Sequence, residues 1–192
     1  MEEVGRTPPN PYEGQDIDLT KNQIRLLTLL PGSRNSPLVC TSYLVALSDK
    51  PSYTALSYVW GDATDRLLIQ LNGETKLAIT RSLHTALENL RDNNSSPITL
   101  WIDALCINQS HTAEKSHQIQ LMGDIYKNAS QTCIWLGPES PDSDLAMHLI
   151  RHLDGNDLSN PHNSPSPTGL QAIANLQSRP WWSRVWVIQE AL

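Results

Sequence analysis

The chain has 192 residues, with 14 Lys and Arg against 20 Asp and Glu for a formal net charge of -6 and a sequence pI of 5.4. That length holds one domain with a substantial core. The acidic balance, without any basic stripe, lacks the footprint of a nucleic-acid binder. No apolar run approaches a membrane span, and the start Met1-Glu2-Glu3 is unlike a signal peptide. A cytoplasmic protein with neither nucleic acid nor membrane as partner is expected.

Residues 1–20 are polar and aperiodic and read as a mobile arm ahead of a domain over 21–192. Two apolar runs, Ile24 to Leu30 and Leu38 to Leu47, are separated by turn chemistry at Pro31-Gly32 and predict a hairpin-like pair of strands. Tyr53 to Val59 predicts a further strand, stopped by Trp60-Gly61-Asp62. Arg66 to Leu71, Asn72-Gly73 and Glu74 to Ile79 form the strongest hairpin signal, because Asn-Gly suits a tight primed turn. Thr80 or Ser82 then caps a helix with Leu83, Ala86, Leu87 and Leu90 on one face.

Ile98 to Leu105 is apolar at nearly every position and predicts a central strand covered on both faces. A helix capped by Ser110 or Thr112 follows, with Ile119, Met122, Ile125, Tyr126 and Ala129 in register, and then a strand over 131–136. Together these make a βαβ unit. Leu145, Leu149 and Leu153 predict another helix, residues 154–168 a polar loop, and 169–177 a short helix. Pro180 opens a last segment in which Trp182, Trp186 and Glu190 share one helical face. A helix ending at Leu192 would be abrupt, so the natural domain is expected to continue past it.

Phe is absent while Trp occurs six times. Core packing is the ordinary role of such rings, and a stacking wall for a planar ligand is the sharper one. At the end of the central strand, the carboxylate of Asp103 is followed by the amides of Asn108 and Gln109, and strand tips are where α/β proteins bind ligands. Turn formation is the bland alternative for Asn108, and a structural role for Asp103. Neither a Gly-x-Gly-x-x-Gly nor a Walker loop is present, and no Cys-x-x-Cys or His-Glu-x-x-His spacing points to a metal. The three cysteines, Cys40, Cys106 and Cys133, are too dispersed for a disulfide framework. A Cys106 and His111 thiol pair lacks the electropositive setting that activates such a nucleophile.

Several blocks occur in a fixed order: Tyr53-x-Ala55-Leu56-Ser57-Tyr58-Val59-Trp60-Gly61, then Leu100 to Gln109 with Glu114 and Gln118. Met122-x-x-Ile125-Tyr126-x-x-Ala129, Trp135-Leu136-Gly137 and Arg179-Pro180-Trp181-Trp182-x-Arg184-Val185-Trp186-Val187-x-Gln189-Glu190 follow. This series resembles the fungal heterokaryon-incompatibility (HET) domain, which is itself distantly similar to TIR domains. The resemblance implies an α/β fold: a TIR-like, flavodoxin-like, mostly parallel sheet flanked by helices, here with an added N-terminal β-hairpin region. It also implies an effector of non-self recognition and regulated cell death. Some TIR domains cleave NAD with a single Glu, and Trp186 and Glu190 have a similar separation. The resemblance makes Glu190 the catalytic candidate and Tyr58, Trp60, Gly61, Asp103, Asn108, Gln109 and Trp186 the substrate-binding candidates. NAD would be a substrate, with no bound cofactor and no metal. Two readings stay open. In one the domain is an NAD-hydrolysing effector. In the other it is a signalling module that self-associates or binds other incompatibility proteins, with Glu190 paired structurally to Arg179 or Arg184.

Overall fold

A computed structural model describes residues 10–73, 75–92, 95–153 and 165–185. The chain is of the α/β class. Its strands are β1 (Gln23–Leu29), β2 (Val39–Ala46), β3 (Thr54–Tyr58), β4 (Arg66–Leu71), β5 (Thr75–Thr80), β6 (Ile98–Trp101) and β7 (Gln131–Trp135). The helices are α1 (Arg81–Asp92), the single turn α2 (Asp103–Cys106), α3 (Thr112–Asn128), α4 (Ser143–Leu153) and α5 (Pro167–Gln177).

Among the described residues, the seven strands join one sheet in the order β5-β4-β2-β1-β6-β3-β7. The sheet is mixed. Parallel pairing joins β6 to β3, β3 to β7 and β2 to β4, whereas β1–β2, β1–β6 and β4–β5 are antiparallel. The antiparallel pairs β1–β2 and β4–β5 are joined by the loop over residues 30–38 and by a tight turn, respectively. Asn72 and Gly73 form the β4–β5 turn, with φ of 50° and 90°. Hydrogen bonds from Asn72 Oδ1 and Nδ2 to Ser42 then stitch that turn to β2.

Burial follows position in the sheet. β1 and β3 lie inside it, and their apolar residues Ile24, Leu26, Leu27, Ala55 and Leu56 are all fully buried. β4 and β5, at one end, keep alternate side chains in solvent. α1 packs Leu83, Ala86 and Leu87 inward, and each of the two leucines contributes about 1.5–3 kcal/mol of burial. Thr80 Oγ1 accepts the Leu83 N–H and caps this helix. α3 is fastened by hydroxyl and amide bonds: Tyr53 to Ile125 O, Tyr126 to Leu56 O, and Gln118 Nε2 to Gln23 O.

Two sequence expectations change here. The strand predicted to run to Leu105 stops at Trp101, because Asp103–Cys106 closes a helical turn in which Cys106 Sγ accepts the Ile102 N–H. The expected βαβ unit is present: α3 connects β6 to β7, both strands lie parallel to β3, and β3 stands between them in the sheet. The N-terminal segment is packed from Asn10 onward, with Tyr12 bonded to Ile107 O and Gln15 to Ser42 O.

Candidate functional site

β3 and β6 are adjacent and parallel, so their carboxyl ends open a crevice at one edge of the sheet. A cavity of about 440 Å³ lies there, and Tyr58, Trp60, Asn108 and Gln109 line it. Thus four of the expected binding residues, from two separate sequence blocks, meet at one site. Leu77 to Thr80 of β5, with Leu83, supply an apolar wall that the sequence pattern did not reveal.

Asp103 stands behind this cavity. One carboxylate oxygen accepts the Trp60 indole N–H at 2.8 Å and the other accepts the Ala104 N–H at 2.7 Å. Trp60, 44% exposed, therefore has its ring orientation fixed at a polar edge while its faces remain available. Gly61 does not line the cavity. It makes the turn after Trp60 with φ of 74°, and a Cβ there would come within 3.1 Å of the Ser82 Cβ. Its role is to let the backbone turn close to α1.

The Asn108 side-chain oxygen accepts the backbone N–H and hydroxyl of Ser110, an Asx turn, and Gln109 Nε2 donates to Asp103 O. Asn108 Nδ2 and Gln109 Oε1 have no hydrogen-bond partner among the described residues, which leaves one amide donor and one acceptor on this rim. Tyr58 is buried and its hydroxyl is held well above the ordinary phenol range, first by burial and then by Asp103, with Arg184 opposing. Two cations, Arg66 and Lys115, also line the cavity, and neither pairs with a carboxylate among the described residues. A planar group against Trp60, an amide edge at Asn108 and Gln109, and anionic groups near Arg66 or Lys115 fit this lining.

The rim is held by a buried ion pair. Arg25 Nη1 lies 2.9 Å from Glu114 Oε1 and also donates to Cys106 O at 2.7 Å. The same Glu114 oxygen accepts the Asn108 N–H at 2.8 Å. Arg25 is 1% exposed and interrupts an apolar strand. That position was itself the signal, since a charge buried in a strand needs a partner. The cap of α3 is His111, whose Nδ1 accepts the Glu114 N–H, in place of the expected Ser110 or Thr112.

That use of His111 also removes it as a thiol base. Cys106 is fully buried, and burial pushes its thiol up to about 12, so a thiolate nucleophile is not available there. Among the described residues, no group of three or more His, Cys, Asp or Glu could hold a metal ion. No helix among them is long and apolar enough to cross a membrane.

On the far side of β3, the Ser57 hydroxyl accepts the Trp181 indole N–H at 2.7 Å and Arg184 Nη1 at 3.1 Å. This buried node ties the Arg179-Pro180-Trp181 block to the strand that carries Tyr58. The block forms a 3-10 turn over Pro180–Ser183, and Arg184 is extended, at φ -75° and ψ 141°. The single helical face expected for Trp182, Trp186 and Glu190 is therefore broken at Arg184. Trp186 and Glu190 themselves lie outside the described residues.

These features define an α/β domain with an aromatic, cation-lined cavity at the tips of parallel strands. The family model described as heterokaryon incompatibility protein (HET) matches residues 53–190. The chain is also 41% identical over 151 residues to heterokaryon incompatibility protein 6, OR allele, of Neurospora crassa. That alignment covers 72% of this chain and 22% of the relative, so the chain spans about a fifth of the length of the curated protein it matches. The chain belongs to the HET family. No solved structure matches it.

Proposed function

We propose that this domain is an effector of fungal heterokaryon incompatibility that binds NAD in the strand-tip cavity and hydrolyses it, so that NAD depletion or a product triggers cell death in the cytoplasm. The observation that supports this reading best is the meeting of Trp60, Asn108 and Gln109 around one cavity that Arg66 and Lys115 also line. An aromatic face suits adenine or nicotinamide, an amide edge suits the carboxamide, and the cations suit the pyrophosphate.

In the hydrolysis, the bond from ribose C1′ to the nicotinamide nitrogen breaks and nicotinamide leaves as a neutral molecule. A water oxygen bonds to C1′, giving ADP-ribose and one proton. The cationic, oxocarbenium-like ribose between these events calls for a carboxylate, and Glu190 is the proposed group. Hydrolysis of this kind would be TIR-like.

Expression in fungal cells tests it. Parent chain should kill, while Glu190→Gln and Trp60→Ala at equal abundance should not. Killing by Glu190→Gln would remove the enzymatic reading. One observation favours the second reading, a self-associating module: α4 exposes Leu145, Met147 and Ile150 at 38%, 38% and 41%. Toxicity from a strictly monomeric protein would contradict that alternative.

A further inference from the structure

One wall of the cavity comes from outside the family-matched segment. Asn10, Pro11 and Tyr12 close it on one side, although the matched segment begins at residue 53. This stretch is firmly attached. The Tyr12 ring lies under the Arg25 guanidinium, 4.5 Å from Cζ to ring centroid, and its hydroxyl donates to Ile107 O at 3.2 Å. Arg25 Nη2 donates to Gln15 O at 2.7 Å, and Gln15 Nε2 donates to Ser42 O at 3.0 Å. Burial pushes the Tyr12 phenol up to about 12, so its hydroxyl keeps its proton at physiological pH.

The anchor is shared with the opposite rim. Arg25 Nη1 binds Cys106 O and Glu114, and Glu114 accepts the Asn108 N–H. The position of Tyr12 and that of Asn108 are thus tied to one guanidinium. We propose that residues 10–15 are an integral, specificity-determining part of the ligand site: Tyr12 is a wall against which a bound planar ligand packs, and Arg25 sets the spacing of wall and rim. The identity of that ligand as NAD rests on the reading above, whereas the wall does not.

The test uses the full chain in a Cys133→Ser background with Ala104→Cys as a reporter inside the cavity, since Cys40 and Cys106 are buried. Maleimide labelling at 104 and calorimetric binding of NAD are measured for the parent, Tyr12→Phe and Tyr12→Ala. Tyr12→Ala should speed labelling and weaken NAD binding by about tenfold each, with Tyr12→Phe close to the parent because the ring stays over Arg25. Unchanged labelling in Tyr12→Ala with a native circular dichroism spectrum overturns the wall whatever NAD does. Faster labelling with unaltered NAD binding overturns the role in specificity. Faster labelling in a protein whose parent fails to bind NAD supports the wall and removes NAD as the ligand. If Tyr12→Ala loses the native spectrum, Tyr12→Leu, which keeps apolar bulk without a ring face, is read in the same way.

Discussion

Asp103 divides its carboxylate between the Trp60 indole and the Ala104 backbone, and Glu114 divides one oxygen between Arg25 and Asn108. Both are carboxylates that aim other groups. Because Arg25 and Glu114 are buried together, removing one partner leaves the other charge uncompensated. Arg25→Ala should therefore lower stability by about 3–5 kcal/mol, read as a fall in denaturation midpoint. Trp60→Ala should weaken NAD binding by about 1–3 kcal/mol in calorimetry, the range for one aromatic–base stack, with little change in midpoint because the ring is part exposed. Gly61→Ala should cost about 1–2 kcal/mol, because its φ is positive and the added Cβ presses on Ser82. A thermal melt equal to the parent's would contradict that reading of the turn.

At the scale of elements, α4 and α5 form a helical pair around Ala146, Ala172 and Leu176, with Leu136 against it. Asp142 joins them: it accepts the amide of Asn175 at 2.6 Å and the hydroxyl of Ser140 at 2.8 Å, and these bonds hold its carboxyl below the usual 3.8. A group whose pKa falls on folding stabilises the folded form above its unfolded value. That contribution is lost as pH drops from about 3.8 through the lower folded value. Acid should therefore loosen the α4–α5 contact in the parent, and hydrogen exchange at α5 should lose this pH dependence in Asp142→Asn.

Much of this scale was legible in the sequence. The β1–β2 and β4–β5 pairs followed from apolar runs and Asn-Gly, and α1 from its period and Thr80. The short turn α2 was not, because Asp103 to Cys106 continues an apolar run and only the Cys106 Sγ and backbone bonds reveal the reversal. Tyr58, Trp60, Asn108 and Gln109 could be picked from strand tips. Tyr12 and the β5 wall could not, since their place at the cavity depends on contacts across the sheet.

At the scale of the whole molecule, β1 stands in the sheet between β2 and β6, joining the β4–β5 end to the parallel β6-β3-β7 end. The family match starts beyond it, at residue 53. A chain of residues 53–192 would lose β1 and β2 and leave Glu114 buried without Arg25. It should lack a cooperative thermal transition, whereas the full chain should melt cooperatively. A sharp melt of the shorter chain would show that the hairpin is an accessory.

Nicotinamide release by the purified full chain would link the cavity at the strand tips to chemistry on NAD. Release by the parent should rise with protein concentration, fall sharply in Trp60→Ala and vanish in Glu190→Gln. Equal release from the parent and Glu190→Gln would contradict the catalytic assignment, and no release from a folded parent that still kills cells would contradict NAD hydrolysis as the effector activity.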